Sequence, residues 1–167
     1  DMDIEERLEF IDKEYLQNFP AIEVDSEIPL QKSFSSMKDL EKEYAVAADA
    51  DCTEKTYYAY AAAMDITLDQ NVCKAFEMIS YVLVDMPGAP LKQALLDAGI
   101  GSDIDVDFCD ILRQSYFAVS TKNAKAGQKQ DFYAVIRKVL EDTVKNGLDK
   151  KALEAAKSIK AAQNLPA

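Results

Sequence analysis

The sequence predicts an α+β fold: an antiparallel β-sheet with helices packed on one face, preceded by a helix and a long connector. Three observations lead there. Strand-like alternation and helix-like stripes come in pairs, in the order strand–strand, helix–helix, strand–strand, helix–helix. The last two strand patterns are separated by only a short turn, which makes them an antiparallel hairpin. Of the 167 residues 49% are apolar, enough for one domain with a core of its own.

Residues 3–18 read as an amphipathic helix, because Ile4, Leu8, Ile11 and Tyr15 recur at helical spacing and acids crowd the first turn, where the helix dipole favours them. Glu5, Glu6, Glu9 and Asp12 read as its solvated face rather than a metal site. Pro20 stops it. Residues 21–39 carry no period; Pro20 and Pro29 favour extended backbone, and Ser33, Ser35 and Ser36 add loop character. A connector of this length suits a link between two domains better than a loop inside one.

Residues 43–48 and 56–64 read as two strands joined by the polar turn 49–54. The alanines at 59 and 61–63 are equally compatible with a helix; strand is the reading taken. Tyr57, Tyr58 and Tyr60 fit strand packing, with an aromatic platform for peptides as the weaker alternative. Residues 68–84 are predicted helical through the stripe Val72, Phe76, Ile79 and Leu83, with Asp69 as N-cap or first-turn acid. The run Met86-Pro87-Gly88-Ala89-Pro90 breaks it, and a short helix follows over 91–98, with Pro90 near its first position and Gly99 as C-cap.

At 103–109 acid and apolar residues alternate, Asp103, Asp105 and Asp107 against Ile104, Val106 and Phe108, as in a half-buried strand. Residues 113–121 form the next, with Tyr116, Ala118 and Ser120 on one face and Phe117, Val119 and Thr121 on the other. Phe132, Val135, Ile136, Val139 and Leu140 mark a helix over 132–145, ended by Gly147; Asp149 caps another over 150–162. There is no internal repeat.

Composition excludes several function classes. The net charge of -11, from 30 acidic and 19 basic residues, argues against nucleic acid and anionic membranes as partners. No apolar run is long enough to span a bilayer, and no leader pattern opens the chain. Cys52, Cys73 and Cys109 are widely spaced and read as free thiols in a reducing compartment, Cys73 and Cys109 as inert core thiols. That points to the cytoplasm, with an organelle as the alternative if a leader is missing from a fragment. The chain has no histidine, which removes Ser-His-Asp and Cys-His catalysis and histidine-bearing zinc sites. Asp103, Asp105 and Asp107 are spaced like the start of an EF-hand loop, but Phe108 stands where glycine is needed and Gln114 where glutamate is needed, so calcium is not expected.

Residues 86–101, MPGAPLKQALLDAGIG, closely resemble a segment of the insulinase/pitrilysin family of zinc peptidases, in its presequence-protease branch. Three further stretches agree, in the family's order: ERLEFIDKEYL at 6–16, VDSEIPLQ at 24–31 and NGLDKKALE at 146–154. Asn164 to Ala167 have no counterpart. The resemblance implies a partition in which 1–19 close a preceding catalytic domain, 20–40 are the interdomain linker, and 41–167 are the second, non-catalytic domain, truncated at its C-terminus. It also implies that zinc and the His-x-x-Glu-His motif belong to the full-length enzyme; none is expected in this chain, which alone is inactive.

The resemblance implies a wall domain of a chamber in which a zinc-dependent endopeptidase degrades short unfolded peptides. The positions matching the family's substrate exosite are Pro87, Gly88, Ala89 and Pro90, with the strand Ile104, Asp105, Val106, Asp107 and Phe108. An exposed strand edge offers backbone groups to an extended peptide, and the Asp103, Asp105 and Asp107 row would attract basic ones. A solvated acidic face is the competing reading of that row, and the segment lacks the glycines that relatives often carry. The alternative function is a catalytically inactive family member acting as a binding or scaffold subunit. Expected partners are other domains of the same polypeptide and unfolded peptides, with self-association if an excised piece bares its interdomain surfaces.

Overall fold

The computed structural model describes residues 3–66 and 69–163, and the chain divides into two compact units, ending at Leu30 and beginning at Gln31. The first unit is helix α1 (Ile4–Glu14) followed by a 3₁₀ turn, Leu16–Asn18. Asp3 caps α1 by accepting the Glu5 N–H at 2.8 Å. The sequence predicts one helix over 3–18; Tyr15, with φ -125 and ψ -61, leaves the α region and splits it. No residue of α1 is buried, and its stripe lies bare, Ile4 at 73% and Leu8 at 61% exposure.

The second unit is built on strands β1 (Thr56–Ile66), β2 (Asp103–Cys109) and β3 (Gln114–Ala124). They form a three-stranded antiparallel sheet in the order β1-β3-β2. Helices α2 (Gln70–Ser80), α3 (Pro90–Asp97), α4 (Lys129–Asn146) and α5 (Lys150–Gln163) complete it. The predicted α+β class holds. The start proposed for the second helix at Leu68 lies outside the described residues, as does the tail Asn164 to Ala167.

Local chemistry explains the boundaries. Asp69 caps α2 through the Asn71 N–H at 2.8 Å, and Asp149 caps α5 through the Ala152 N–H at 2.7 Å. Pro90 opens α3, where its missing N–H costs nothing. That helix closes with Gly99 donating to Leu96 and Ile100 to Leu95, at 2.9 and 3.0 Å, around a glycine at φ +65. The same turn drives Ile100 into the core at 1% exposure.

Two sequence expectations need correction. Residues 43–48 are not a strand: their side chains are exposed on every side, so no buried face repays the ordering of a ladder there. The second helix does not run evenly to Val84 either. It widens into a π turn, Tyr81–Asp85, closed by Met86 N–H donating to Tyr81 at 2.9 Å. The wider turn lets three successive residues, Val82, Leu83 and Val84, all be buried, which a regular helical stripe does not allow.

The core lies between the sheet and the helices and joins Leu83, Val84, Leu91, Leu95, Ile100 and Ile104 to Phe117, Val119, Phe132 and Ile136. Tyr58 stacks on Phe132 at 5.7 Å and Phe76 on Phe108 at 5.3 Å. Tyr58 and Tyr60 therefore serve packing, whereas Tyr57 lies on the outer face.

Gly101 is the most closely enclosed of the glycines. At φ +70, a Cβ there would sit 2.0 Å from Thr121 Oγ1 and 2.6 Å from the Lys122 carbonyl oxygen. Gly101→Ala is expected to lower stability by about 3 kcal/mol, from overpacking plus left-handed strain. Gly127→Ala, at φ +87 with open space around it, carries the strain alone, about 1 kcal/mol. Urea denaturation of both variants checks this; equal losses would mean that Thr121 yields to the added methyl.

Candidate functional site

Among the described residues β2 is paired only to β3, so it forms one edge of the sheet. Its alternation sets Ile104, Val106 and Phe108 toward the helices and Asp103, Asp105 and Asp107 outward. The register carries that outer face across all three strands. Asp105 lies beside Ser120 and Ala59, and Asp107 beside Ala118 and Ala61. The surface is thus a row of carboxylates along the edge strand, bordered by small side chains.

The three acids differ in their partners. Asp103 pairs with Lys122 at 3.4 Å, and both are about half exposed, so the pair contributes little to stability. Asp107 accepts the phenol proton of Tyr116, which stands two residues before Ala118, the direct partner of Asp107, on the same face of β3. Asp105 has no ion pair or hydrogen-bond partner among the described residues. The bond to Asp107 favours the neutral phenol and raises the Tyr116 pKa to about 12. An anionic neighbour and an acceptor both oppose loss of that proton.

The structure separates the predicted loop from the predicted strand. Ala89 donates to Met86 at 3.0 Å in a tight turn and is buried, while Gly88, at φ +74, lets the backbone reverse. Pro87 is exposed at the turn. Gly88 and Pro90 line a cleft of about 450 Å³ with Val82, Val139, Asn146 and Leu148, at the junction of α4 and α5. None of Ile104, Asp105, Val106, Asp107 or Phe108 lines that cleft. Ala89 of the loop and Ile104 of the strand are both buried. A second hollow of about 380 Å³, apolar and lined by Tyr60, Met64, Phe76, Phe117 and Leu140, lies on the helix side of the sheet.

Tyr116 joins the outward acids through its bond to Asp107, a partner not foreseen from the sequence. Its signal was present: the hairpin register opposes Tyr116 to Cys109, next to Asp107. The same register corrects Cys109. It shares parity with the aspartates, so it stands on the outer face, partly buried, and is not a core thiol. Cys73 is likewise only partly buried, and Cys52 is exposed.

The chain does not fit a zinc site of the kind the resemblance assigns to the catalytic domain. It has no histidine, and among the described residues no group of three or more Cys, Asp or Glu side chains could hold a metal ion. Among the described residues no helix is long and apolar enough to cross a membrane.

Comparison with known proteins gives this geometry a setting. The family profile described as peptidase M16 inactive domain matches residues 1–160. The chain is 42% identical over 154 residues to Protein HypA of Clostridium perfringens, covering 92% of this chain and 16% of that protein. It is 23% identical over 159 residues to the mitochondrial presequence protease of Xenopus tropicalis, covering 91% of this chain and 15% of that protein. It is 27% identical over 147 residues to presequence protease 1, chloroplastic/mitochondrial, of Arabidopsis thaliana, covering 86% and 14%. The chain thus spans only 14% to 16% of the length of these relatives.

The Tyr116–Asp107 bond has a pH signature. The phenol's pKa is raised in the folded state, so the stability it contributes is complete below the ordinary 10.0 and is lost as pH rises through about 12. Alkaline absorbance titration, read as the difference between the parent chain and Tyr116→Phe, is expected to show this late transition. Asp107→Asn should return it toward 10.0; an unchanged titration would show that the carboxylate is not its cause.

Proposed function

The chain belongs to the peptidase M16 inactive-domain family, and from that premise we propose that it is a non-catalytic chamber-wall domain of a zinc-dependent endopeptidase that degrades short unfolded peptides. The observation that carries the reading is the family match along residues 1–160 in a chain without a single histidine. Zinc and the residues that activate water would lie elsewhere in the longer polypeptide. In this reading residues 1–19 close the preceding catalytic domain, 20–40 link the two, and 41–167 are the wall domain. The bare stripe of α1 supports it, since an amphipathic helix with no buried residue lacks its partner surface.

Within that domain, β2 serves as a substrate exosite. Its unpaired edge offers N–H and C=O groups to an extended peptide, a mode almost blind to sequence. Asp103, Asp105 and Asp107 add a preference for basic peptides, Asp105 most of all because it has no partner among the described residues. The presequence proteases among the relatives favour peptides as substrates and an organelle as the location. The loop Pro87, Gly88, Ala89 and Pro90 contributes by fixing the start of α3 and lining the α4–α5 cleft. The second reading, an inactive binding or scaffold subunit, is favoured by the same lack of histidine and differs only in whether a catalytic domain precedes residue 1.

Two measurements bear on this. A labelled, unstructured Lys/Arg-rich peptide is expected to bind the chain without being cut, more tightly than a Glu/Asp-rich peptide of equal length. Replacing Asp103, Asp105 and Asp107 with Asn should weaken that binding about tenfold, since each exposed charge contributes a fraction of a kcal/mol. Indifference to peptide charge, or to the triple substitution, rules out the acidic exosite. Separately, the exposed Ile4 and Leu8 stripe should make the chain self-associate, and Leu8→Glu should reverse this in sedimentation equilibrium. A parent chain that stays monomeric at high concentration speaks against a bared interdomain surface.

A further inference from the structure

The edge of the sheet away from the acidic row is open in a different way. Among the described residues β1 pairs only with β3, so its other side carries backbone groups without a ladder. The pairing with β3 is unbroken from Tyr58 to Ala63, between register shifts at either end, and that straight stretch is long enough to template another strand. Edge strands are ordinarily guarded by lysine, proline or another charge. From Thr56 to Met64, β1 has no charged residue, no proline and no glycine.

Behind this edge the core is not closed. Tyr60, Ala62 and Met64 share the helix-side face of β1, and with Phe76, Phe117 and Leu140 they line the apolar hollow of about 380 Å³. Tyr60, Met64, Phe76 and Leu140 are each only partly buried, so the hollow is open to solvent. No charged side chain lines it. Ala62, between Tyr60 and Met64, leaves the space that a larger side chain would fill.

The chain's own preceding segment is unsuited to that space. Tyr44 sets its ring edgewise on Tyr57, on the outer face, at 5.2 Å. Residues directly opposite in a ladder share a face, so any pairing that keeps Tyr44 beside Tyr57 turns Glu43, Glu41 and Asp39 toward the apolar side. Carboxylates there would lose hydration without gaining a partner, whereas Asp39 is held by an ion pair with Lys129.

We propose that the β1 edge from Tyr58 to Ala63 is a docking edge for an extended peptide that carries one large uncharged apolar side chain, leucine or phenylalanine in size, into the hollow beside Ala62. The open edge calls for an extended backbone, and the hollow calls for an apolar side chain and rejects an acid. The two edges of the sheet then select differently: β2 by charge on the outer face, β1 by apolar size on the inner one. The inference depends neither on the peptidase reading nor on whether β2 binds a peptide.

Fluorescence anisotropy on the whole chain tests it, with a labelled neutral peptide of about ten Ser and Thr residues bearing one central Leu. That peptide is expected to bind at least about tenfold more tightly than versions with Asp or Gly at the centre, because the leucine leaves water only by entering the hollow. N-methylation of every second backbone amide should abolish binding in one parity and spare it in the other, since only alternate N–H groups of a strand face a given neighbour. Amide hydrogen exchange should slow between Tyr58 and Ala63 when the peptide is added, and not in β2. Replacing Asp103, Asp105 and Asp107 with Asn should leave this binding as it was. Equal affinity for the Leu and Asp peptides, insensitivity to the parity of N-methylation, or protection of β2 in place of β1 overturns the proposal. So does protection of β1 before any peptide is added, in this chain or in the full-length product of its gene, because a second copy or another segment of the polypeptide would then already cover the edge.

Discussion

Strand β3 is the constraint on which the rest of the structure depends. Among the described residues it is the only strand with a partner on each side, and its inward row runs Ser115, Phe117, Val119 and Thr121, all buried. Val119 and Thr121 are fully enclosed. Thr121 donates to the Ile100 carbonyl at 3.3 Å, and its hydroxyl occupies the space that a side chain at residue 101 would need. The α3 terminus, the start of β2 and the sheet centre are therefore fixed by one contact. Burial of aliphatic and aromatic side chains against this strand supplies the driving force, and the close approach of Gly101 fixes the register.

That register also organises the outer face. Because side chains alternate, fixing Val119 inward places Ala118, Ser120 and Tyr116 outward, next to the aspartates of β2. The acidic row is consequently attached to the central, doubly paired strand of the sheet. A peptide-binding surface gains from such a support, since little ordering is left to be done on binding. The loop at Gly88 has a different role: its conformation starts α3 and buries Ala89, and its open side faces the α4–α5 junction.

Much of the fold was legible in local patterns. The Asp/apolar alternation of β2, the caps Asp69 and Asp149, and the Pro90 and Gly99 limits of α3 are chemistry written within a few residues. What was not legible depends on distant partners. Residues 43–48 have strand-like composition, yet among the described residues no strand pairs with them, and composition alone cannot reveal a missing partner. The π turn at Tyr81–Asp85 arises because the core accepts Val82, Leu83 and Val84 together. The hydrogen bond from the Gln31 N–H to Gln114 joins polar residues far apart in sequence and leaves no periodicity to read. Of the candidate site, the outward acids were foreseeable; the Tyr116 partner, the outward Cys109 and the separation of loop from strand required the three-dimensional register.

The chain belongs to the peptidase M16 inactive-domain family, and its proposed role is to supply wall and not chemistry to a longer metallopeptidase. The most direct measurement is zinc content together with cleavage of a short unfolded peptide, made in parallel on this chain and on the full-length product of its gene. The account predicts a chain that is metal-free and inert beside a full-length protein that holds zinc and cleaves the peptide. A full-length protein that holds no zinc and cuts nothing would contradict it and leave a binding or scaffold subunit as the function.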